Sequence, residues 1–94
     1  MEITKINESY SIKDKTDLGW EMNGNAYVEV NGSMNLHGDI RNELGESIGN
    51  FSYHKPSEGN VSVSVNVSEE NRNTFTEYVD SVIESVLAKF AWNN

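Results

Sequence analysis

His37 and His54 are the two imidazoles of a chain of 94 residues that holds no cysteine. Zinc takes three or four ligands, so two histidines read as part of a hydrogen-bonding surface and not as a metal centre. No Ser-His-Asp arrangement is assignable either, because any of eleven serines would serve equally well. The residues with chemistry to offer fall into three groups. The first is a polar sheet face of Asn25, Tyr27, Asn35, His37, Ser52 and His54, with His37 and His54 diagonal on neighbouring strands. The second is a hollow at Gly24, Ala26 and Gly38, inward positions with little or no side chain. Setting Ile12 opposite Trp20 directs Glu8 at that hollow, where a carboxylate would orient a small ligand or act as a base of raised pKa. The third is a stripe of Glu70, Glu77 and Glu84 with Asp80 beside it, repeating at ~10 Å along a helix. Trp92, just past that helix, either packs back or anchors a partner. Each group has a plainer reading: a solvated sheet face, a hollow filled by Phe75, Tyr78 or Phe90, and the wet side of an amphipathic helix.

The elements that carry these groups follow from hydrophobic period. Trp20, Met22, Gly24, Ala26, Val28 and Val30 alternate with polar residues, as do Met34, Leu36, Gly38 and Ile40, and again Val61, Val63, Val65 and Val67. Residues 2–12 and 46–54 alternate less cleanly. Five strands are expected, over about 2–12, 20–30, 33–42, 46–54 and 60–67. After Val67 the spacing of Phe75, Tyr78, Val79, Val82, Ile83, Val86, Leu87 and Phe90 becomes that of one helical stripe, so a helix is expected over about 69–91. Ser68 stands as its N-cap, Glu69 and Glu70 complement the dipole at its start, and Lys89 does so near its end.

Turn chemistry sets the register. Asn31-Gly32 suits a two-residue hairpin, but that loop would place apolar and polar residues on one face. The three-residue loop Val30-Asn31-Gly32, glycine last, keeps Val28 facing Met34, Ala26 facing Leu36 and Met22 facing Ile40. The same register sets Glu21 against Arg41 on the outer face. Glu43-Leu44-Gly45 repeats the pattern and sets Ile48 opposite Ile40, which requires a bulge at Gly49-Asn50 to keep Phe51 and Tyr53 inward. The fold class is α+β: a five-stranded antiparallel meander followed by one C-terminal amphipathic helix packed on one sheet face, in a single domain without internal repeat. Five strands span about 20–24 Å and a helix is about 10 Å across. One helix therefore cannot cover a flat sheet of this width, and the remainder must curl or be covered by a second copy, another protein or an apolar ligand.

Composition narrows the function. Fifteen acids against seven bases give a net charge of −8, which opposes direct binding to nucleic acid. The N-terminal residues lack a signal-peptide pattern and no apolar run is long enough to cross a membrane. Five Asn-x-Ser sequons, several within expected strands, fit a chain that never meets the glycosylation machinery. A cytoplasmic protein of bacterial or viral origin is expected. With no catalytic constellation or cofactor motif, the expected role is a non-enzymatic interaction module that is homodimeric, needs no cofactor and binds another protein. Two alternatives are a phage- or plasmid-encoded inhibitor presenting acidic surface to a host nucleic-acid-binding enzyme, and a small-ligand binder using the hollow near Glu8.

Overall fold

Alternating apolar and polar residues produce one strand more than the sequence suggests. The computed structural model describes residues 1–6, 9–29 and 32–92, the side chains of residues 5, 6 and 90–92 excepted. Its strands are β1 (Glu2–Ile6), β2 (Ser9–Lys15), β3 (Glu21–Val28), β4 (Met34–Arg41), β5 (Ser47–Lys55) and β6 (Ser62–Val67). They form one antiparallel sheet in chain order, followed by helix α1 (Arg72–Trp92). The expected strand over 2–12 is a hairpin, with Ile3 paired to Ile12 and Ile6 to Ser9. A parity change marks it: Ile3 is odd-numbered whereas Tyr10 and Ile12 are even, and antiparallel pairing brings Ile3 and Ile12 to one face.

Three hairpins share one closing geometry. Thr16 N–H donates to Trp20 C=O, Glu29 N–H to Ser33 C=O and Asn42 N–H to Glu46 C=O, each at 2.9 Å. Gly19, Gly32 and Gly45 then donate back to residues 16, 29 and 42 at 3.0 Å, with φ of 82°, 92° and 81°. Glycine takes this left-handed conformation without a Cβ penalty. Two loops are held by the side chain that opens them. Thr16 Oγ1 accepts from Leu18 and Trp20 N–H, and Asn42 Oδ1 accepts from Leu44 and Glu46 N–H. The β3–β4 register is the expected one, but Val30 and Asn31 lie outside the described residues. Turn geometry thus recurs at 13-residue intervals, the glycines standing at 19, 32 and 45, where no internal repeat was expected.

Two other expectations shift. Ile40 pairs with Gly49 and Arg41 with Ser47, so the extra residue is Ile48, one position before the bulge placed at Gly49-Asn50. Phe51 and Tyr53 still point inward, since either placement restores the same parity. Arg41 does stand opposite Glu21, yet its Nε pairs with Asp39 at 3.3 Å and its Nη1 donates to Gly45 C=O at 2.9 Å. The same-face residue two positions back and the adjoining loop win the guanidinium.

The helix begins with a single tight turn, Glu69–Asn71, that runs directly into α1. Ser68 caps it through its carbonyl, which accepts from Asn71 N–H at 3.1 Å, whereas its hydroxyl accepts from the Asn71 side chain. Phe75, Val79, Val82, Ile83 and Val86 of α1 are buried against Ile12, Trp20, Met22, Ala26, Leu36, Ile40, Phe51 and Tyr53. The core therefore draws on β2 to β5. Trp20 and Phe75 rings meet at 6.3 Å between centroids.

Candidate interaction surface

The polar face is assembled as the strand parity dictates. Across it run Tyr27, Asn35, His54 and Ser62 in one row and Asn25, His37, Ser52 and Ser64 in the next. All eight are exposed. His54 Nδ1 donates to Asn35 Oδ1 at 2.6 Å, which ties the ring to the neighbouring strand. His37 stands one row away, diagonal to His54. Among the described residues no three His, Cys, Asp or Glu side chains gather as metal ligands would. The face offers amides, hydroxyls, a phenol and two imidazoles in two rows across the sheet, a surface for hydrogen-bonded contact.

The hollow is closed. Gly24 pairs with Gly38 on one side and Ile12 on the other, and Ala26 beside it is fully buried. A Cβ on Gly38 would lie 2.5 Å from Phe51 Cε1, and one on Gly24 would lie 2.5 Å from the His37 carbonyl oxygen. These glycines admit a ring and a neighbouring backbone, not a ligand. Phe51 does the filling expected of Phe75, Tyr78 or Phe90, while Phe75 packs over Gly49. Glu8 lies outside the described residues. The position facing Gly24 is Ile12 because β2 continues to Lys15 and Thr16 meets Trp20, which moves the register four residues from the one that aimed Glu8 at the hollow.

Glu70, Glu77, Asp80 and Glu84 are all exposed, on the side of the helical segment away from Phe75, Val79, Val82 and Val86. Trp92 ends α1, and its side chain lies outside the described residues. A titratable contact crosses between helix and sheet: Tyr78 OH donates to Asp14 Oδ2 at 2.7 Å. Burial, then the Asp14 hydrogen bond and charge, hold the phenol far above its ordinary range. The pair is a tie between α1 and β2.

The sequence located neither of two exposed apolar surfaces, although it required that one helix leave part of the sheet uncovered. Val61, Val63 and Val65 remain 50%, 52% and 36% exposed, although Val63 pairs with Tyr53 and Val65 with Phe51 on the core-facing side. With Val67, Glu69, Arg72 and Thr76 the last two line an open groove beside the start of α1. Leu18 and Leu44, at the middle of two matching loops, are 57% and 82% exposed. Their loops touch, since Glu43 occupies the space a side chain on Gly19 would need. The signal for this pair was the near-identity of Asp17-Leu18-Gly19 and Glu43-Leu44-Gly45. No known protein family, curated protein or solved structure matches the chain. Among the described residues no helix is long and apolar enough to cross a membrane.

Proposed function

We propose that this chain is a small non-enzymatic interaction module that self-associates as a dimer through the apolar strip on β6 and binds another protein with its polar face. The observation that carries the reading is the exposure of Val61, Val63 and Val65 on the side of the sheet that the helix otherwise covers. Full burial of a valine is worth about 1.5–3 kcal/mol, so covering three half-exposed ones supplies a driving force that a solitary surface valine does not. Once the strip is closed by a second copy, the lattice around Tyr27, Asn35, His37, Ser52 and His54 is the broad surface left for a partner.

Absolute mass by light scattering, over a concentration series at low and high salt, tests this. A dimer that persists at high salt is expected, because apolar closure is not screened and the repulsion between two acidic chains weakens as salt rises. A monomer at every concentration overturns the self-association.

A second reading draws on the exposed acids of the helical segment, Glu70, Glu77, Asp80 and Glu84. Such a stripe suits an inhibitor that enters the basic groove of a nucleic-acid-binding enzyme. Inhibition of a nuclease that is lost on charge reversal at Glu77 and Glu84 supports it, and inhibition indifferent to that reversal overturns it.

A further inference from the structure

Val63 and Val65 belong to the last strand of the sheet and Val61 directly precedes it, and the backbone of that strand has a free side whose identity follows from the hairpins. Glu29 N–H donates to Ser33 C=O, so odd-numbered residues of β4 bond to β3 and even-numbered ones to β5. Leu36 with Tyr53 and Gly38 with Phe51 are then hydrogen-bonded pairs, and the even residues of β5 turn to β6. Ser52 with Ser64 and Asn50 with Asn66 complete the ladder. The N–H and C=O groups of Val63, Val65 and Val67 therefore point out of the sheet, in the same residues whose side chains form the apolar strip.

Edge strands are normally blunted by lysine, proline, inward charge or a bulge. From Val61 to Ser68 there is no charged residue and no proline. The opposite edge, β1, carries Glu2 and Lys5 within five residues. The unprotected strand is also its own complement. Reading outward from Ser64 in either direction gives Val, then Ser or Asn, then Val.

We propose that β6 pairs antiparallel with β6 of a second copy about a twofold axis at Ser64, joining two six-stranded sheets edge to edge. The inference rests on the self-association proposed above and names its contact. Val63 then meets Val65 of the second copy, Val61 meets Val67, and Ser62 meets Asn66. With Val61, directly before β6, drawn into the pairing, sliding the strands by one pair in either direction keeps valine against valine but loses one such pair, so the Ser64-centred register is preferred. The contact is isologous and closes on itself. A β1-to-β6 contact would propagate instead, and the charges on β1 oppose it.

The chain has no cysteine, which makes single cysteines clean reporters. At Ser64 the twofold brings the same residue of both copies into a non-hydrogen-bonded pair, with Cα atoms about 4.5 Å apart, inside the range of about 4.4–6.8 Å that a disulfide spans. Under mild oxidation, Ser64→Cys is expected to cross-link into a covalent dimer. Asn66→Cys is expected not to, because its own copy lies four residues along the strand, about 13 Å away. Val63→Lys is expected to weaken the dimer about tenfold by light scattering, two cross-strand pairs being lost per dimer. Each variant is to show the parent's circular dichroism. A dimer that resists Val63→Lys and leaves Ser64→Cys uncross-linked overturns this pairing while self-association stands through another surface. Cross-linking of Asn66→Cys in place of Ser64→Cys overturns the register. A parent chain that remains monomeric overturns both the pairing and the self-association, leaving the edge for an extended strand of a foreign protein.

Discussion

Tyr78 fastens the helix to the sheet through a side-chain hydrogen bond. Its hydroxyl reaches Asp14, 64 positions away in sequence, and half-burial keeps the phenol protonated. Tyr78→Phe removes the hydrogen bond but keeps the ring, so a loss of about 1 kcal/mol in urea unfolding is expected for this partly solvated pair. The sign of the pH effect follows from the raised phenol. The folded chain holds this proton at a pH where the unfolded chain, with a tyrosine pKa of about 10, has released it. The stability it contributes is complete below about pH 10 and falls as pH rises beyond. Tyr78→Phe is expected to show a shallower alkaline loss than the parent when thermal midpoints are compared between pH 9 and 11. The inward glycines make a second case. Gly24→Ala and Gly38→Ala each force a methyl against a neighbour 2.5 Å away, and overpacking of this kind costs about 1–3 kcal/mol. The larger loss is expected at Gly24, where the obstacle is backbone and has no rotamer to change.

Among the elements, the hairpin loops carry the register of the polar lattice. Gly45 has a φ of 81° and open space around it, whereas Gly19 has nearly the same φ with the Glu43 side chain in the way. Alanine in left-handed backbone costs about 1–2 kcal/mol at either site. Glu43 is exposed and swings aside, so Gly19→Ala is expected to lose within a few tenths of what Gly45→Ala loses, measured by chemical denaturation. A much larger loss at Gly19 would show that the two loops are rigidly docked on each other. The acids of the helical segment belong to this scale too. Glu77→Lys with Glu84→Lys is expected to leave thermal stability within about 0.5 kcal/mol of the parent, as befits exposed surface positions.

At the scale of the whole molecule, the geometry is a mismatch between one helix and six strands. The buried set on the sheet runs from β2 to β5, Ile3 of β1 and Val67 of β6 pack at its margins, and Val63 and Val65 of β6 lie beyond it. The edge strand thus combines exposed valine side chains with unpaired backbone groups, and one contact would satisfy both. If that contact forms, the two polar faces lie on the same side of a joined sheet, because a twofold axis perpendicular to the sheet does not exchange its faces. A partner gripping the lattice around His37 and His54 would then meet two copies of it, and avidity would raise its apparent affinity without any new contact. Comparing the parent with Val63→Lys for any captured partner is expected to show tighter binding to the parent, read as a slower off-rate. Equal off-rates would mean that the lattice works one copy at a time.

The parity of β3 to β6, the helical stripe from Phe75 to Val86 and the glycine-last turns at Gly32 and Gly45 were legible in the residues, because they are local: a period of two, a period of 3.6 and a left-handed backbone position each leave a mark on a short stretch. The polar lattice was legible for the same reason, since the closure of Glu29 on Ser33 ties register to parity. The β1–β2 hairpin was written only in a change of parity at Ile3 and Ile12, and Glu8 was aimed at Gly24 because the turn at Gly19, which sets Thr16 against Trp20, was passed over. What tertiary structure alone decided was reach. Val61, Val63 and Val65 alternate as cleanly as Met34, Leu36 and Ile40, yet one set is half exposed and the other buried. Alternation states which face a side chain takes; whether anything covers that face depends on where a single helix lies across six strands.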